Sequence, residues 1–323
     1  MSFWNLAFVM TDKCNAACKM CCFSCSPRKN TILNKERIKA YIKQAQEIGT
    51  FKTVAFTGGE AILYYEQLKE CIQYANASGF NSTLVTNGFW AANYDRGYEM
   101  IKGLVEAGLT DISMSVDQYH QEFVKIETVK NAIKICDSFG VLSALTLMDL
   151  KDGRSSSETM EKLRPEIYGK ELIIYPVFPA GEAVANIDGG QIIKACNKNA
   201  ARCAFDKSIT VLFDGTIMMC CSQFSREINM THLGNYETTD LADAIKAFYR
   251  NDFLYVLLSD HFDWYVDLAE KMGMKVDDSY SVSCHLCHYL FTDREFIKAV
   301  RPLVKAEAER LRMKKLLSGN EYA

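Results

Sequence analysis

From Asn5 to about Pro179 the chain alternates short runs of β-favouring residues with helical apolar patterns. That alternation restricts it to repeated βα units around a parallel sheet. The predicted strands are Asn5–Met10, Thr53–Thr57, Asn81–Thr86, Asp111–Val116, Leu142–Met148 and Leu172–Val177. Between the first two, Ile38, Tyr41, Ile42, Ala45 and Ile48 recur at helical spacing, with Asn34 as N-cap and Gly49 just past the end. Val129, Ala132, Ile133, Cys136 and Phe139 repeat the pattern ahead of Gly140. Cys71 and Cys136 fall on such apolar faces and read as buried fillers. Lys151–Ser157 reads as a polar connection, and the Gly/Ala-rich stretch Ala180–Gly190 as a linker or bridging loop. Six strand–helix units make an α/β fold, a partial (β/α)6 barrel over residues 1–190. Ligands of such folds gather at the carboxyl ends of the strands.

Four chemically suggestive motifs fall on that rim. Cys14, Cys18 and Cys21 follow the first strand as C-x3-C-x2-C, Gly58-Gly59-Glu60 follows the second, Asn87-Gly88 the third and Asp117 the fourth. Three thiolates on a cubane cluster leave one of its four irons open to chelate a small molecule. A zinc site more often shows two separated C-x-x-C pairs. The two glycines, beside a carboxylate, let backbone approach a ligand closely.

The run Cys14-Asn15-Ala16-Ala17-Cys18-Lys19-Met20-Cys21 resembles the cluster motif of the radical S-adenosylmethionine (SAM) superfamily. The resemblance implies a 4Fe-4S cluster on Cys14, Cys18 and Cys21 whose open iron binds the amino acid end of SAM. It places Met20 against the adenine and Cys22 and Cys25 outside the ligand set. It further implies that Gly58, Gly59 and Glu60 hold the SAM ammonium, and that Ser115 and Asp117 hold ribose or carboxylate groups. Ordinary strand-end capping is the competing role for those last two. The implied chemistry is reductive cleavage of SAM to a 5′-deoxyadenosyl radical, which abstracts an unactivated hydrogen.

A second cysteine set, Cys203, Cys220, Cys221, Cys284 and Cys287, lies in residues 191–323. Asp214-Gly215 reads as the turn of a hairpin between Ile209–Phe213 and Thr216–Met219. A cysteine, a hairpin, another cysteine and a distant C-x-x-C resemble the SPASM or twitch auxiliary-cluster domains of peptide-modifying radical SAM enzymes. The resemblance implies a second 4Fe-4S cluster, for which we select Cys203, Cys220, Cys284 and Cys287. Adjacent residues of an extended segment point in opposite directions, which separates Cys221 from Cys220. A structural zinc on the same four thiols is the rival use. Cys284-His285-Leu286-Cys287-His288 also spells the c-type haem attachment pattern, a use that requires export.

Cys-Cys-Phe-Ser at 21–24, Asn87-Gly88-Phe89-Trp90, Asp117-Gln118-Tyr119-His120 and the Cys220-Cys221 pair extend the resemblance to radical SAM epimerases of ribosomally made peptides. It implies abstraction of an α-hydrogen from an L-residue and return of hydrogen from the Cys221 thiol to the opposite face. The alternative is a peptide crosslinking enzyme, forming a thioether or carbon–carbon bond with the second cluster as oxidant. The implied partners are a precursor peptide and an electron donor such as flavodoxin or ferredoxin. Asp206 stands near the hairpin, and we assign it no role.

A formal net charge of −3 lacks the basic excess of a nucleic-acid binder. The 13 cysteines are odd in number and far below disulfide-scaffold density in 323 residues. No basic region followed by a long apolar core marks a signal peptide, and the longest apolar run, Phe253–Leu258, is too short for a bilayer. We therefore expect a reducing cytoplasm. The first strand begins near Met1, leaving no room for an N-terminal leader-binding domain, so a precursor is expected to dock on the barrel, the C-terminal part or a separate protein. Phe89, Trp90 and Tyr94, near the third strand, can contact a peptide, but aromatic residues there are more often core, and we name no substrate residues among them. The Lys/Arg-rich stretch Glu295–Leu317 reads as a solvated amphipathic helix.

Overall fold

The computed structural model describes residues 3–151, 154–203, 207–260 and 262–318, and Asp206 lies outside them. Strands β1 (Asn5–Val9), β2 (Thr53–Thr57), β3 (Asn81–Thr86), β4 (Leu109–Ser115), β5 (Leu142–Asp149) and β6 (Leu172–Pro176) form where the β-favouring runs predict them. They pair in parallel and in sequence order. The first intervening helix, Lys35–Ile48, is capped as expected: the Asn34 side chain accepts from the amides of Glu36 and Arg37. Ile38, Tyr41, Ile42 and Ala45 are its buried face. Cys71 and Cys136 are fully buried, and burial pushes both thiols up to about 12. Trp90 is core, its indole N–H donating to Thr86 Oγ1 at 3.1 Å, whereas Tyr94 is exposed.

The sheet continues past β1. After β7 (Cys196–Asn197), β8 (Ser208–Val211) pairs in parallel with β1, and β9 (Thr216–Met218) and β10 (His232–Asn235) extend it antiparallel. The result is an open nine-stranded sheet, ordered β10-β9-β8-β1-β2-β3-β4-β5-β6. The cause is an edge: β1 would otherwise present a row of unpaired backbone groups, and the fully buried β8 covers it. Short β11 (Ser279–Tyr280) pairs separately with β7. The main core runs through Ile209, Ile217, Leu241 and Phe248, so strands and helices from beyond residue 190 complete the first core. A second core lies among the helices Asp252–Asp260, Asp263–Lys271, Ser283–Thr292 and Arg294–Ser318, around Tyr265, Leu286, Leu290 and Val300. In the last helix Phe296, Val300, Val304 and Ala308 are buried at a spacing of four, which is the expected amphipathic pattern.

One loop expectation needs correction and another is narrowed. Lys151–Ser157 is not all connection, because a helix spans Arg154–Lys162. Its inward face carries hydroxyls, with Thr159 accepting from Gln121 Nε2 at 2.8 Å, and so lacks the apolar period that marks a helix. Of the two readings of Ala180–Gly190, linker or bridging loop, the structure gives the second. The stretch contains the helical turn Ala183–Asn186 and packs on the loop after β1. Among the described residues no helix is long and apolar enough to cross a membrane.

Candidate active site

The loop after β1 carries all five cysteines between Cys14 and Cys25, and it is tied at its neck. Asp12 accepts from the Thr31 amide at 2.8 Å and the Thr31 hydroxyl at 3.2 Å, while the Ser26 amide donates to Asp12 O at 3.2 Å. Backbone bonds also run from Gly59 N to Thr11 O, 2.7 Å, and from Glu60 N to Lys13 O, 2.9 Å. The glycine pair was expected to approach a ligand; in the structure its close contacts are to the cysteine loop. A Cβ on Gly59 would stand 2.3 Å from Lys13 O. Gly181 grips the other side: it has φ 58°, and a Cβ there would meet the carbonyls of Cys21 and Cys22 at 2.5 Å.

These contacts enclose a cavity of about 220 Å³ lined by Cys14, Cys18, Cys21, Met20, Gly58, Gly59, Ser115 and Asp117. Eight of the residues predicted to hold the first cluster and SAM therefore face one space. Glu60 does not line it. Its carboxylate lies 1% exposed, accepting from Thr86 Oγ1 and Asn87 N at 2.9 Å each. Burial pushes Glu60 up to about 7 against those two bonds. With the Trp90 bond to Thr86, Glu60 braces the ends of β2 and β3.

Asp117 caps the turn Gln118–Gln121. Its Oδ1 accepts from the amides of Tyr119 and His120 and from His120 Nδ1 at 2.9–3.1 Å. Its Oδ2 is buried without a partner, although the residue is only 2% exposed and lines the cavity. Capping thus occupies one oxygen and leaves the other for a ligand. Burial opposes the protonated form of His120, but the Asp117 carboxylate outweighs it and raises its pKa. His120, Thr146, Met148 and Phe178 are lining residues that we had not assigned to the site. His120 could have been singled out as a polar neighbour three residues along the turn from Asp117.

Burial raises the Cys14 thiol to about 12 and Cys18 further. Cys21 moves the other way, because the Cys25 thiol and amide both donate to it, and Cys25 is raised in turn. Buried thiols disfavour the thiolate that a metal ligand must be, and a cationic group bound between them offsets that penalty. The donor set and the unpartnered Asp117 oxygen therefore fit a 4Fe-4S cluster with SAM.

A second chamber of about 640 Å³ is lined by Cys203, Cys220, Cys221, Cys284 and Cys287, and also by Cys196. The β7–β11 pair carries Cys196 to within 3.4 Å of Ser283 Oγ, beside Cys284. Sequence reasoning missed it because nothing in its spacing ties it to the C-x-x-C pair. Burial raises the Cys287 thiol well above its usual range, and proximity to Cys203, Cys220 and Cys284 raises it further. Cys221 is exposed, whereas Cys220 is half-buried against the main core. The C-x-x-C histidines are engaged elsewhere: His285 stacks on Phe224 and His288 pairs with Glu227 at 2.7 Å. Among the described residues no three His, Cys, Asp or Glu side chains are gathered tightly enough for a single-ion site. The two chambers share Thr146, Phe178 and Gln223 as walls.

Residues 8–151 match the Radical SAM superfamily. The chain is 26% identical over 305 residues to YydG of Bacillus subtilis (strain 168), provisionally named a peptide biosynthesis protein; the match covers 92% of this chain and 94% of that one. It is 35% identical over 89 residues to an S-adenosylmethionine-dependent nucleotide dehydratase of Flammeovirga pacifica, covering 26% and 30% of the two chains. Among solved structures it resembles anSMEcpe with bound AdoMet and the Cp18Cys peptide, with TM-score 0.56, 14% identity and coverage of 95% of this chain and 99% of that one. BtrN in complex with AdoMet and 2-DOIA gives TM-score 0.50 and 13% identity over 81% of this chain and 89% of that one. The open sheet, the three-thiol loop at its rim and the family match agree: this chain is a homologue of YydG and carries a radical SAM domain over residues 8–151.

Proposed function

We propose that this protein is a radical SAM enzyme that acts on a ribosomally made peptide and converts L-residues to D-residues. The observation that carries this reading is the shared wall of the two chambers: Thr146, Phe178 and Gln223 line both, and the exposed Cys221 lines the second. Cys14, Cys18 and Cys21 would hold the first 4Fe-4S cluster, with Met20, Gly58, Gly59, Ser115 and Asp117 around SAM and Glu60 bracing them. Bound together, these groups supply a carbon radical able to take a hydrogen atom from an unactivated C–H bond. Cys203, Cys220, Cys284 and Cys287 would hold a second cluster. Residues 1–190 form the radical SAM part, and residues 191–323 supply the auxiliary cysteines, the final helix and the strands that extend the sheet.

Homolytic loss of the α-hydrogen leaves a planar α-carbon on the peptide. Cys221 then breaks its S–H bond and gives that hydrogen atom to the opposite face. The resulting thiyl needs one electron and one proton before the next turnover, the electron coming from a flavodoxin- or ferredoxin-type donor. Phe178 and Thr146 line the passage and limit water around the peptide. The similarity to YydG and the fold shared with a peptide-bound enzyme support a peptide over a nucleotide or sugar substrate.

The test is turnover of a candidate precursor in heavy water. The exposed Cys221 thiol exchanges with solvent, so each epimerised residue gains one deuterium and keeps its mass in light water. A product lighter by two hydrogens would show crosslinking and sink the epimerase reading. A second prediction concerns Asp117. Asp117→Asn keeps a good cap but removes the charge of the unpartnered oxygen, and SAM affinity by calorimetry should fall about ten- to a hundredfold. Unchanged affinity would remove Asp117 from the SAM site.

A further inference from the structure

We infer that a basic groove in the C-terminal half docks an acidic segment of the peptide substrate, away from the residue that reacts. This rests on the peptide reading above. The groove, of about 1350 Å³, lies among the helices Leu241–Tyr249, Asp252–Asp260 and Arg294–Ser318. Arg294, Lys298, Arg301 and Lys305 recur at helical spacing along one wall, and Arg250 stands on the other. All five side chains are exposed, and none has an ion-pair partner among the described residues. Of the two acids lining the groove, Asp252 pairs with Arg312 at 2.8 Å and Glu227 is hydrogen-bonded to His288 Nε2 at 2.7 Å. In a chain of net charge −3, five cations against two carboxylates in one cleft are a local excess that favours an anionic partner.

The dimensions fit a short extended peptide. Eleven helical steps from Arg294 to Lys305 span about 16 Å. An extended segment of about five residues covers that length. The groove also connects inward. Glu227 lines both the groove and a smaller cavity beside it, and Gln223 lines that smaller cavity and both cysteine chambers. The single turn Gln223–Glu227 is thus a common wall from the surface to the reaction chamber. A peptide held by its acidic stretch can thread along this wall and present a later residue to Cys221.

The test is fluorescence anisotropy with reconstituted full-length protein and three labelled probes: a Glu/Asp-rich decapeptide, its Gln/Asn counterpart and a single-stranded RNA decamer. The acidic peptide should bind, weaken with added salt and lose about tenfold or more of its affinity in the Lys298→Glu/Lys305→Glu variant. Arg250→Glu, on the opposite wall, should weaken it in the same direction and guards against misfolding of the double variant. Equal binding of the neutral peptide, tighter binding of RNA, or affinity unchanged by both substitutions would overturn the assignment. No turnover is read in this experiment. Release of 5′-deoxyadenosine by the parent protein, measured separately, reports on the radical reading alone.

Discussion

Cys221→Ala should abolish D-residue formation while 5′-deoxyadenosine release from SAM continues. The expected loss of epimerised product is at least about 100-fold, equivalent to about 2.7 kcal/mol of barrier. Alanine has no S–H bond, so the planar α-carbon has no hydrogen donor on its second face. The geometry isolates the effect. Cys221 is exposed at the chamber wall, whereas Cys203, Cys220 and Cys284 are the cysteines close enough to Cys287 to raise its thiol. The iron content of Cys221→Ala should therefore equal that of the parent. Cys220→Ala should behave oppositely and lose iron. If Cys221→Ala loses iron and Cys220→Ala keeps it, the two roles are exchanged. If Cys221→Ala still yields D-residues, hydrogen return comes from another group.

What could be read from the sequence, and what could not, follows the range of the interactions. The strands β1 to β6 and the capped helix Lys35–Ile48 are written in local periodicity, and the structure reproduces them nearly residue for residue. The rim motifs were legible because each follows a strand, and in a parallel sheet all strand ends meet on one side. The parallel pairing of β8 with β1 was not legible, since no local pattern says which edge an apolar run will cover. Cys196 escaped for the same reason: its link to Ser283 passes through the two-residue pairing of β7 with β11. Glu60 shows a subtler limit. Its position after β2 was read correctly, but only the fold reveals that Thr86 and Asn87 take up its oxygens and turn it beneath the cavity. Lys298, Arg301 and Lys305 were read as part of a solvated amphipathic helix and are exposed, whereas their sharing one groove with Arg250 was not legible, because Arg250 is distant in sequence.

Cys18→Ala should remove SAM cleavage altogether, lowering 5′-deoxyadenosine release at least about a thousandfold, or about 4 kcal/mol. With two thiolates left, the first cluster cannot be held, and bound iron should fall by about half if both sites carry four irons. Folding should survive, because the loop neck is tied by hydrogen bonds of its own. Asp12 holds Thr31, Ser26 holds Asp12 and Cys14, and the Gly59 and Glu60 amides pin the strand side. The matched variant is Cys284→Ala, which should also lose about half of the iron yet retain SAM cleavage, since Cys284 lines only the second chamber. Cys22→Ala should keep both iron and cleavage, because Cys22 is not required by the three-thiol spacing. Iron retention by Cys18→Ala together with loss of iron in Cys22→Ala would show that the loop uses a different triplet, and SAM would then meet a different open iron.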